Sequence, residues 1–375
     1  MRPVIKFNIY IYFLTGISLL GSIIALFQSY ERFIICFLEA FLFFSGISVT
    51  CLFFISLQQL VRARWGSNFQ KIALNFSRFV PFILIPLLLI IADILIFRKI
   101  FNPSSKELII SSNSFFNLYT NPYFYSARLI VYYITWLFLY LKIKKHFVSP
   151  EEKSENGNKY LPYSGSFIIL YVLSFSFAGI DLVILLQNGW MNTIWSIYYI
   201  SGSYLTVLAV IALFSIVYEY YRKETIATKE EYHNISKMIF GFTIFWGYIA
   251  YSQYFLIWYV NQPTEVSFFA NRINSSIGDL GLFLITMRFA IPFLLLLSAK
   301  NKRNKKLILI SSITLLVSQL IDIIWMEQQS MDKDLLQYGW ENAAIFILFL
   351  CFFILRIKPA NIPTTINKSI SNPVV

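Results

Sequence analysis

Five ionisable residues lie inside long apolar stretches of this 375-residue sequence: Glu39, Asp93, Asp181, Arg288 and Asp322. A charge at the centre of a membrane helix costs about 2.5 to 3.5 kcal/mol, so such residues usually face a bundle interior or a water-filled cavity. Acids in that setting can carry protons, and an arginine among them can pair with one acid. The alternative is that the acids are hydrated from the membrane surface and Arg288 forms a purely structural ion pair.

Ten apolar stretches carry these residues, and each is long enough to cross a hydrocarbon core about 30 Å thick as a helix. The composition agrees, since 57% of the residues are hydrophobic and only 13% are charged. The fourth stretch is the shortest, because its apolar run covers only Leu129 to Leu141. The predicted spans are residues 9 to 27, 33 to 57, 79 to 98, 128 to 142, 163 to 187, 193 to 218, 236 to 259, 279 to 299, 307 to 325 and 339 to 356.

Lysine and arginine are distributed unequally between the two sides of these spans. With the N-terminus in the cytoplasm, and with basic residues at the span ends counted in the adjoining segments, the predicted inner segments hold 23 of them and the outer segments 7. Only Arg288 lies deeper within a span. This asymmetry predicts cytoplasmic termini. The chain is then one polytopic domain, 1 to 375, with an inner N-terminus (1 to 8) and a polar tail (357 to 375). The net charge of +12 favours anionic lipid as its partner and argues against nucleic acid.

The four buried acids are expected to lie in the outer half of the membrane. Counted from the outer helix ends, they lie roughly 5 to 9 Å deep, and Arg288 lies roughly 13 Å deep. Arg288 is therefore expected to reach one of the acids. Pro292 leaves the carbonyl of Arg288 without its helical donor. In the ninth span a polar face is predicted from Ser311, Ser318, Gln319 and Asp322.

A proton path across the membrane also needs groups between these acids and the inner surface. Tyr248, Tyr251 and Ser252 of the seventh span are candidates for its middle, and His233 is the candidate for its inner end. Together with the five ionisable residues they form the predicted path.

The sequence contains no pattern for a cofactor of its own. His146 and His233 cannot supply the paired ligands of a membrane haem, and Cys36, Cys51 and Cys351 lie in different spans, which excludes an iron-sulfur cluster. The cysteines are expected to be small buried hydrophobes. Any redox chemistry would therefore require metals in partner subunits.

Two segments carry a resemblance to a known family. Residues 236 to 265 read SKMIFGFTIFWGYIAYSQYFLIWYVNQPTE, and residues 181 to 203 read DLVILLQNGWMNTIWSIYYISGS. The first resembles the seventh helix of the ActF-type membrane subunit of alternative complex III, the bacterial quinol:cytochrome c oxidoreductase. The matching residues are Trp246, Tyr248, Ala250, Ser252, Gln253, Tyr254, Ile257, Trp258, Tyr259, Asn261, Pro263 and Glu265, while Thr264 replaces a Glu.

The second segment is similar to the family's connection between the fifth and sixth helices. Asp181, Trp190, Thr193, Ile194 and Tyr198 stand in the matching places. The family commonly has Pro-His-Trp where this chain has Asn188, Gly189 and Trp190, so any role of that His does not carry over.

The resemblance implies an all-α membrane protein with two four-helix bundles, spans 2 to 5 and 6 to 9, and two peripheral helices. It also implies a non-catalytic subunit of a respiratory electron-transport complex, related to NrfD and PsrC-type subunits, that acts as a scaffold and conducts protons. Its partners would be a homologous membrane subunit that oxidises quinol at its own quinone site, and iron-sulfur and multihaem cytochrome c subunits on the outer face.

Two other functions remain open from the sequence. In the first, the chain binds quinol itself, with Asp181 as proton acceptor and Trp190 or Tyr251 packing on the ring. Alternatively it is a secondary transporter, although such proteins usually have helices broken at the midplane in both halves, and only Pro292 suits that position.

Overall fold

The structure is a computed structural model, and it describes residues 2–97, 118–148, 161, 163–185, 194–263, 265–266, 269–270, 278–327 and 339–357. These residues form helices and short connections, with no strand among them. The predicted all-α membrane fold is thus confirmed. The 98–117 segment, the turn that contains Trp190, Thr264 and the tail from 358 onward lie outside the described residues.

Among the described residues, ten helices follow one another, and they overlap the ten predicted spans in order. Helix α8 consists of the consecutive pieces Gly278–Leu284, Ile285–Ala290 and Ile291–Leu295. The other helices are α1 (Arg2–Gln28), α2 (Tyr30–Leu60), α3 (Ser67–Phe97), α4 (Pro122–Val148), α5 (Ser164–Ile184), α6 (Ile194–Arg222), α7 (Lys229–Val260), α9 (Lys305–Glu327) and α10 (Trp340–Arg356). Helices α3, α5 and α8 include irregular turns.

Seven of these helices are long and apolar enough to cross a membrane: α1 to α6 and α9. Helix α8 is apolar but shorter, with a continuous apolar part at Leu280–Leu295. Helix α7 is long but not apolar enough, and α10 has only 17 residues, so the predicted spans 7, 8 and 10 are not among the seven. The fourth span was predicted too short. Helix α4 has 27 residues and begins at Pro122, because its tyrosines bond inside the bundle and lower the hydropathy without interrupting the helix.

The helices pack as two adjoining four-helix bundles. In the first bundle α2 contacts α3, α4 and α5, and in the second α6 contacts α7 and α9 while α8 packs on α7 and α9. Contacts of α2 with α6 and α9, and of α5 with α6, join the two bundles. Helix α10 packs on α2, and α1 packs mainly on α10, so these two are peripheral. The structure therefore has the expected division into spans 2–5 and 6–9.

Burial follows this arrangement. Helix α2 lies at the centre of the protein, and 89% of the residues in its most apolar 18-residue stretch are buried. In the corresponding stretch of α1 only 22% are buried. Aromatic side chains fill the centre, as in the stacked rings of Phe175 and Tyr199 from α5 and α6, whose centroids lie 5.0 Å apart. Helix α1 therefore offers most of its apolar surface to the surroundings.

One end of the protein is rich in cations, and we call it the basic end, defined by Lys300, Lys302, Arg303, Lys305 and Lys306. Its connections are held together by polar contacts: Arg303 pairs with Glu230 at 3.1 Å, and Lys305 pairs with Glu219 at 2.5 Å. Helix α7 starts there with a capping box between Thr228 and Glu231. The Arg303 guanidinium lowers the pKa of Glu230, mainly through its hydrogen bond.

Candidate functional site

The first bundle contains a buried ion pair between α4 and α5. The Nε of Arg128 donates to Oδ2 of Asp181 and its Nη2 donates to Oδ1, both at 2.9 Å. Hydroxyls of Tyr119 and Tyr132 donate to the same carboxylate at 3.0 and 2.9 Å. A carboxylate offers about four lone-pair positions, so these four donors leave Asp181 with none open.

Arg128 is itself firmly held. Its Nη1 donates to the carbonyl of Tyr119 at 2.7 Å, and its guanidinium carbon lies 3.8 Å from the centre of the Tyr119 ring. The hydroxyl of Tyr125 donates to the Asp181 carbonyl at 2.5 Å, which ties α4 to the backbone of α5. The first pair therefore joins two helices through both side chains and backbone.

The second bundle contains a similar pair between α8 and α9. Nη1 of Arg288 donates to Oδ2 of Asp322 at 2.8 Å, and both side chains are 1% exposed. The hydroxyl of Tyr198 donates to the other oxygen of Asp322 at 2.6 Å, while Nη2 of Arg288 donates to Gln319. The ring of Trp246 lies under the guanidinium, with its centroid 4.7 Å from Cζ. The expected pairing of Arg288 with an acid is thus confirmed.

The two pairs occupy matching places in the two bundles. In each bundle the arginine comes from the third helix and the aspartate from the fourth, and both aspartates lie within about two turns of the described end of their helix. Contact between Trp195 and Trp325 places the start of α6 beside the end of α9, so both pairs lie at one end of the protein. We call this the ion-pair end. The two bundles therefore match in which helix carries the arginine and which carries the aspartate.

Irregular helical turns place several of these charges. Among the described residues, three π-helical turns occur, Asp93–Phe97, Ile180–Ile184 and Ile285–Ala290, and each contains a buried charged residue. A π turn inserts one residue and re-aims the side chains around it, and such turns are frequent at functional sites. The turn of α8 directly precedes Pro292, whose missing N–H leaves a helical acceptor free.

A glycine makes room for Arg288. A Cβ placed on Gly202 of α6 would lie 2.4 Å from Nη2 of Arg288 and 3.2 Å from Oε1 of Gln319. We expect Gly202→Ala to displace the guanidinium and to lower the free energy of unfolding by about 1 to 3 kcal/mol, as for overpacked cores. Thermal unfolding in detergent, followed by circular dichroism, measures the effect.

The matched control is Gly241→Ala in α7, where an added Cβ meets nothing within 4 Å. This variant should be neutral or slightly stabilising, because alanine has the higher helix propensity. Equal unfolding temperatures for both alanine variants would show that the close approach at Gly202 has no energetic consequence.

The remaining predicted acids lie outside these two clusters. Asp93 is buried at the end of α3 and accepts a hydrogen bond from Tyr30 at 3.0 Å. Glu39 of α2 is 6% exposed, one turn from Cys36, whose thiol bonds Asn342 of α10. Within the described residues Glu39 makes no hydrogen bond or ion pair.

His233 lies at the basic end, in the first turns of α7 before the predicted span. Partial burial, together with the nearby cations Arg303 and Lys237, lowers its pKa below the usual value. A lowered pKa favours the neutral imidazole and makes His233 a weaker proton acceptor. The structure does not bring it into contact with the two ion pairs.

Tyr248 and Tyr251 do not lie in the bundle interior. Each is 64% exposed on the outer face of α7, and Ser252 is half-buried. The buried face of α7 instead carries Trp246, Ile249, Gln253 and Ile257. The expectation that these tyrosines form the middle of a buried path is therefore corrected, because both side chains lie on the outward face of α7.

Several site residues were missed in the sequence. Arg128 was counted as a loop residue, so the statement that Arg288 is the only basic residue within a span is wrong. The low hydropathy of residues 122–127 hid the first two turns of α4. Tyr119 and Tyr132, two of the donors to the aspartates, gave no signal among 24 tyrosines, and Tyr198 was named only for the family resemblance. Glu327, 1% exposed and close to Tyr125 and Tyr199, was also missed.

The polar face predicted for α9 is present and buried. Ser311, Ser318, Gln319 and Asp322 are each at most 3% exposed. Gln319 accepts a hydrogen bond from Thr206 of α6 at 3.0 Å, and the hydroxyls of Ser311 and Ser312 have no partner among the described residues. This face leads from Asp322 toward the basic end over roughly 16 Å, at 1.5 Å per residue.

A cavity accompanies each ion pair. In the first bundle a cavity of about 410 Å³ is bordered by Arg128, Tyr119 and Tyr132. In the second bundle a cavity of about 650 Å³ between α7 and α8 reaches Tyr198 and Trp246. Both volumes lie within the range of ligand pockets.

No family model matches the chain, and no curated protein is similar to it. The resemblance to the ActF-type subunit stays a prediction, carried by the residues of α7. The site itself consists of two buried arginine–aspartate pairs in a polytopic helical protein.

Proposed function

We propose that this chain is a non-catalytic membrane subunit of a respiratory quinol:cytochrome c, or other acceptor, oxidoreductase of the alternative complex III type. It lies in the bacterial inner membrane with its basic end in the cytoplasm. It serves as a scaffold and conducts protons, while partner subunits hold quinol, haem c and iron-sulfur clusters. The motif of α7 supports the family, and the buried pairs support the transfer of charge.

Asp322 is the observation that carries the proton-conducting role. It receives two donors from the described residues, Arg288 and Tyr198, and so keeps lone pairs for water or a proton. Behind it Gln319, Thr206, Ser312 and Ser311 form the polar face toward the basic end. A proton would enter at Asp322 and cross along this face with the help of water.

The first pair fits a structural role better. All lone pairs of Asp181 are used by Arg128, Tyr119 and Tyr132, so the carboxylate is a poor acceptor for a quinol proton. Tyr251, the ring-packing residue of the quinol alternative, lies on the exterior of the other bundle. The geometry thus favours proton conduction through the second bundle over quinol oxidation at Asp181.

Purification from native membranes tests the assignment to a complex. An affinity-tagged chain extracted in mild detergent should arrive with partners that contain covalently bound haem and iron-sulfur clusters. A transporter should come out alone or with copies of itself, and that result would contradict the proposal. Mass spectrometry and the haem spectrum of the eluate distinguish the two outcomes.

Asp322→Asn tests the path within the intact complex. In vesicles with an internal pH dye we expect proton translocation per quinol to fall about 100-fold, as for loss of an acid–base group, while quinol oxidation continues. Glu39→Gln is the matched control, since it also neutralises a buried acid but leaves the second bundle intact. Normal translocation in Asp322→Asn would exclude Asp322 from the path.

A further inference from the structure

The outward face of α7 carries a regular row of residues, which we call the α7 seam. Its members follow one another at alternating spacings of three and four: Gly241, Ile244, Tyr248, Tyr251, Phe255 and Trp258. All six are exposed, and the five side chains beyond the glycine are 40 to 64% exposed. The seam runs over roughly 26 Å, at 1.5 Å per residue. This spacing is the one by which two helices pack side by side at a small crossing angle.

Two hydroxyls of the α7 seam lie too deep to reach the membrane surface. Helix α7 packs along α6, which is apolar enough to cross a membrane. Tyr248 and Tyr251 lie roughly 18 and 14 Å from the end of α7 at Val260, whereas interfacial tyrosines lie at headgroup level. Neither hydroxyl bonds to a described residue. Lipid tails offer no hydrogen-bond partner, so this face is better suited to contact with protein than with lipid.

A cavity of about 650 Å³ between α7 and α8 opens on the same face. Tyr248, Tyr251 and Leu282 at its rim are 64 to 71% exposed. Gln253 lines the cavity and is 2% exposed, yet neither its amide nitrogen nor its amide oxygen has a hydrogen-bond partner. A buried amide without partners is costly. A polar side chain that enters the cavity from the seam would remove this cost.

The surface is also shaped for the close approach of a helix. An added Cβ would meet nothing within 4 Å at Gly241, in the seam, or at Gly281, in the cavity wall. Small residues let the backbones of membrane helices come close together. Between these open positions the rings of Tyr251 and Phe255 stack with centroids 5.8 Å apart. The row of rings is therefore already ordered in the chain alone.

We propose that the α7 seam is the contact surface for one transmembrane helix of a neighbouring membrane subunit, and that this helix inserts a hydroxyl or amide side chain into the cavity to bond Gln253. Packing and interhelical hydrogen bonds are the forces that join helices in lipid. In a symmetric pair of copies, Tyr251, Phe255 and Trp258 would meet their own equivalents across the twofold axis. Those rings would hold the two helices apart and keep Gln253 out of reach. The inference depends neither on the Asp322 path nor on the type of complex.

Photocross-linking in native membranes tests the surface on the full chain. The photoreactive residue p-benzoylphenylalanine replaces Tyr248 or Tyr251, and as a control Ile134 of α4, which is 56% exposed. Irradiation should join both α7 positions to the same segment of one partner, and the Ile134 position to no protein. Mass spectrometry should find a hydroxyl or amide side chain within one turn of the joined residue.

Three outcomes of the cross-linking would overturn the proposal. Adducts between two copies of the chain would make the surface a homodimer contact. Adducts with lipid alone at both positions would show that no helix covers the seam. A joined segment without a hydroxyl or amide side chain would leave Gln253 without the proposed partner.

The double variant Tyr248→Phe with Tyr251→Phe tests the hydroxyls and keeps both rings. An interhelical hydrogen bond in a membrane contributes about threefold to affinity, so retention of the partner during detergent titration should fall about eightfold. The unfolding temperature of the isolated chain should not fall, because neither hydroxyl bonds within the described residues. Partner retention equal to that of the wild type would mean that lipid covers these hydroxyls and would contradict the proposal.

Gly281→Leu tests insertion into the cavity. Because the chain has room for an added side chain there, the variant should fold normally, occupy the space and lower partner retention at least tenfold. Gly16→Leu in α1 is the control, since Gly16 has equal room but does not line the cavity, and it should behave like the wild type. Unchanged retention in Gly281→Leu would overturn the insertion of a side chain.

Gln253→Leu tests the hydrogen bond to the inserted side chain. It should lower partner retention about threefold and leave the stability of the isolated chain unchanged or higher, because the amide has no partner there. Added to Gly281→Leu it should have little further effect, since both variants remove the same contact. Additive losses in the double variant would show that the inserted side chain does not bond Gln253.

Discussion

Arg288→Leu should lower the free energy of unfolding by about 3 to 5 kcal/mol, because Asp322 remains buried without its cation. The guanidinium contacts Asp322 and Gln319 at once and rests on Trp246, and its side chain is only 1% exposed. Leucine can make none of these polar contacts. Chemical unfolding in detergent, with circular dichroism as readout, measures the loss.

Two further variants separate the energetic role from conduction. Arg288→Lys should recover only part of the stability, since an ammonium lacks the planar fork that reaches both acceptors. A double variant, Arg288→Met with Asp322→Leu, should come close to wild-type stability, because apolar replacements of a buried pair are often neutral. The double variant should not translocate protons, because it lacks the Asp322 carboxylate. Wild-type stability of Arg288→Leu alone would show that the pair contributes nothing.

The architecture could be predicted because a lipid bilayer requires long apolar helices, and such helices are recognisable in the sequence as long stretches of apolar residues. Each of the ten predicted stretches overlaps a helix, and seven of these helices are long and apolar enough to cross a membrane. The polar face of α9 lies inside the bundle, as its spacing of three, four and seven predicts. For Arg288 the expected partner was one of the outer-half acids, which its long side chain can reach. Helix α9 supplied it as Asp322.

The first ion pair could not be found in this way. Arg128 follows a stretch of polar and aromatic residues, so hydropathy placed it at a helix end, although it lies in the seventh position of α4. Its neighbours are tyrosines, which look alike in sequence whether they point to lipid or to a carboxylate. The outward orientation of Tyr248 and Tyr251 was missed for the same reason. Helix α7 carries aromatic residues on all of its faces, and only the packing in the structure shows that Trp246 and Gln253 occupy the buried face.

The correspondence between the two ion pairs was hidden by differences in detail between the bundles. In the first bundle the aspartate lies in a π turn and its tyrosine donors come from α4 and the segment before it. In the second the arginine lies in a π turn and the tyrosine comes from α6. Only the arginine on the third helix and the aspartate on the fourth are shared. Two residues per bundle are too few for a repeat to be recognised along the chain.

Loss of the first pair should also be costly, and the larger effect should come from the aspartate. Asp181→Leu removes the acceptor of four hydrogen bonds at once and leaves the charge of Arg128 without a counter-ion, so we expect a loss of about 3 to 5 kcal/mol. Arg128→Leu should cost about 2 to 3 kcal/mol, because the carboxylate keeps the hydroxyls of Tyr119 and Tyr132.

Tyr133→Phe in the same helix is the control for these two variants. It removes a single hydrogen bond of 3.2 Å to the Pro81 carbonyl and should cost about 1 kcal/mol or less. Unfolding in detergent should therefore rank the variants as Asp181→Leu, Arg128→Leu and Tyr133→Phe, from the least to the most stable. If Arg128→Leu were as stable as Tyr133→Phe, the pair would be only a surface contact. If instead it cost as much as Arg288→Leu, the two tyrosine hydroxyls would not compensate the Asp181 charge, and the two bundles would depend equally on their arginines.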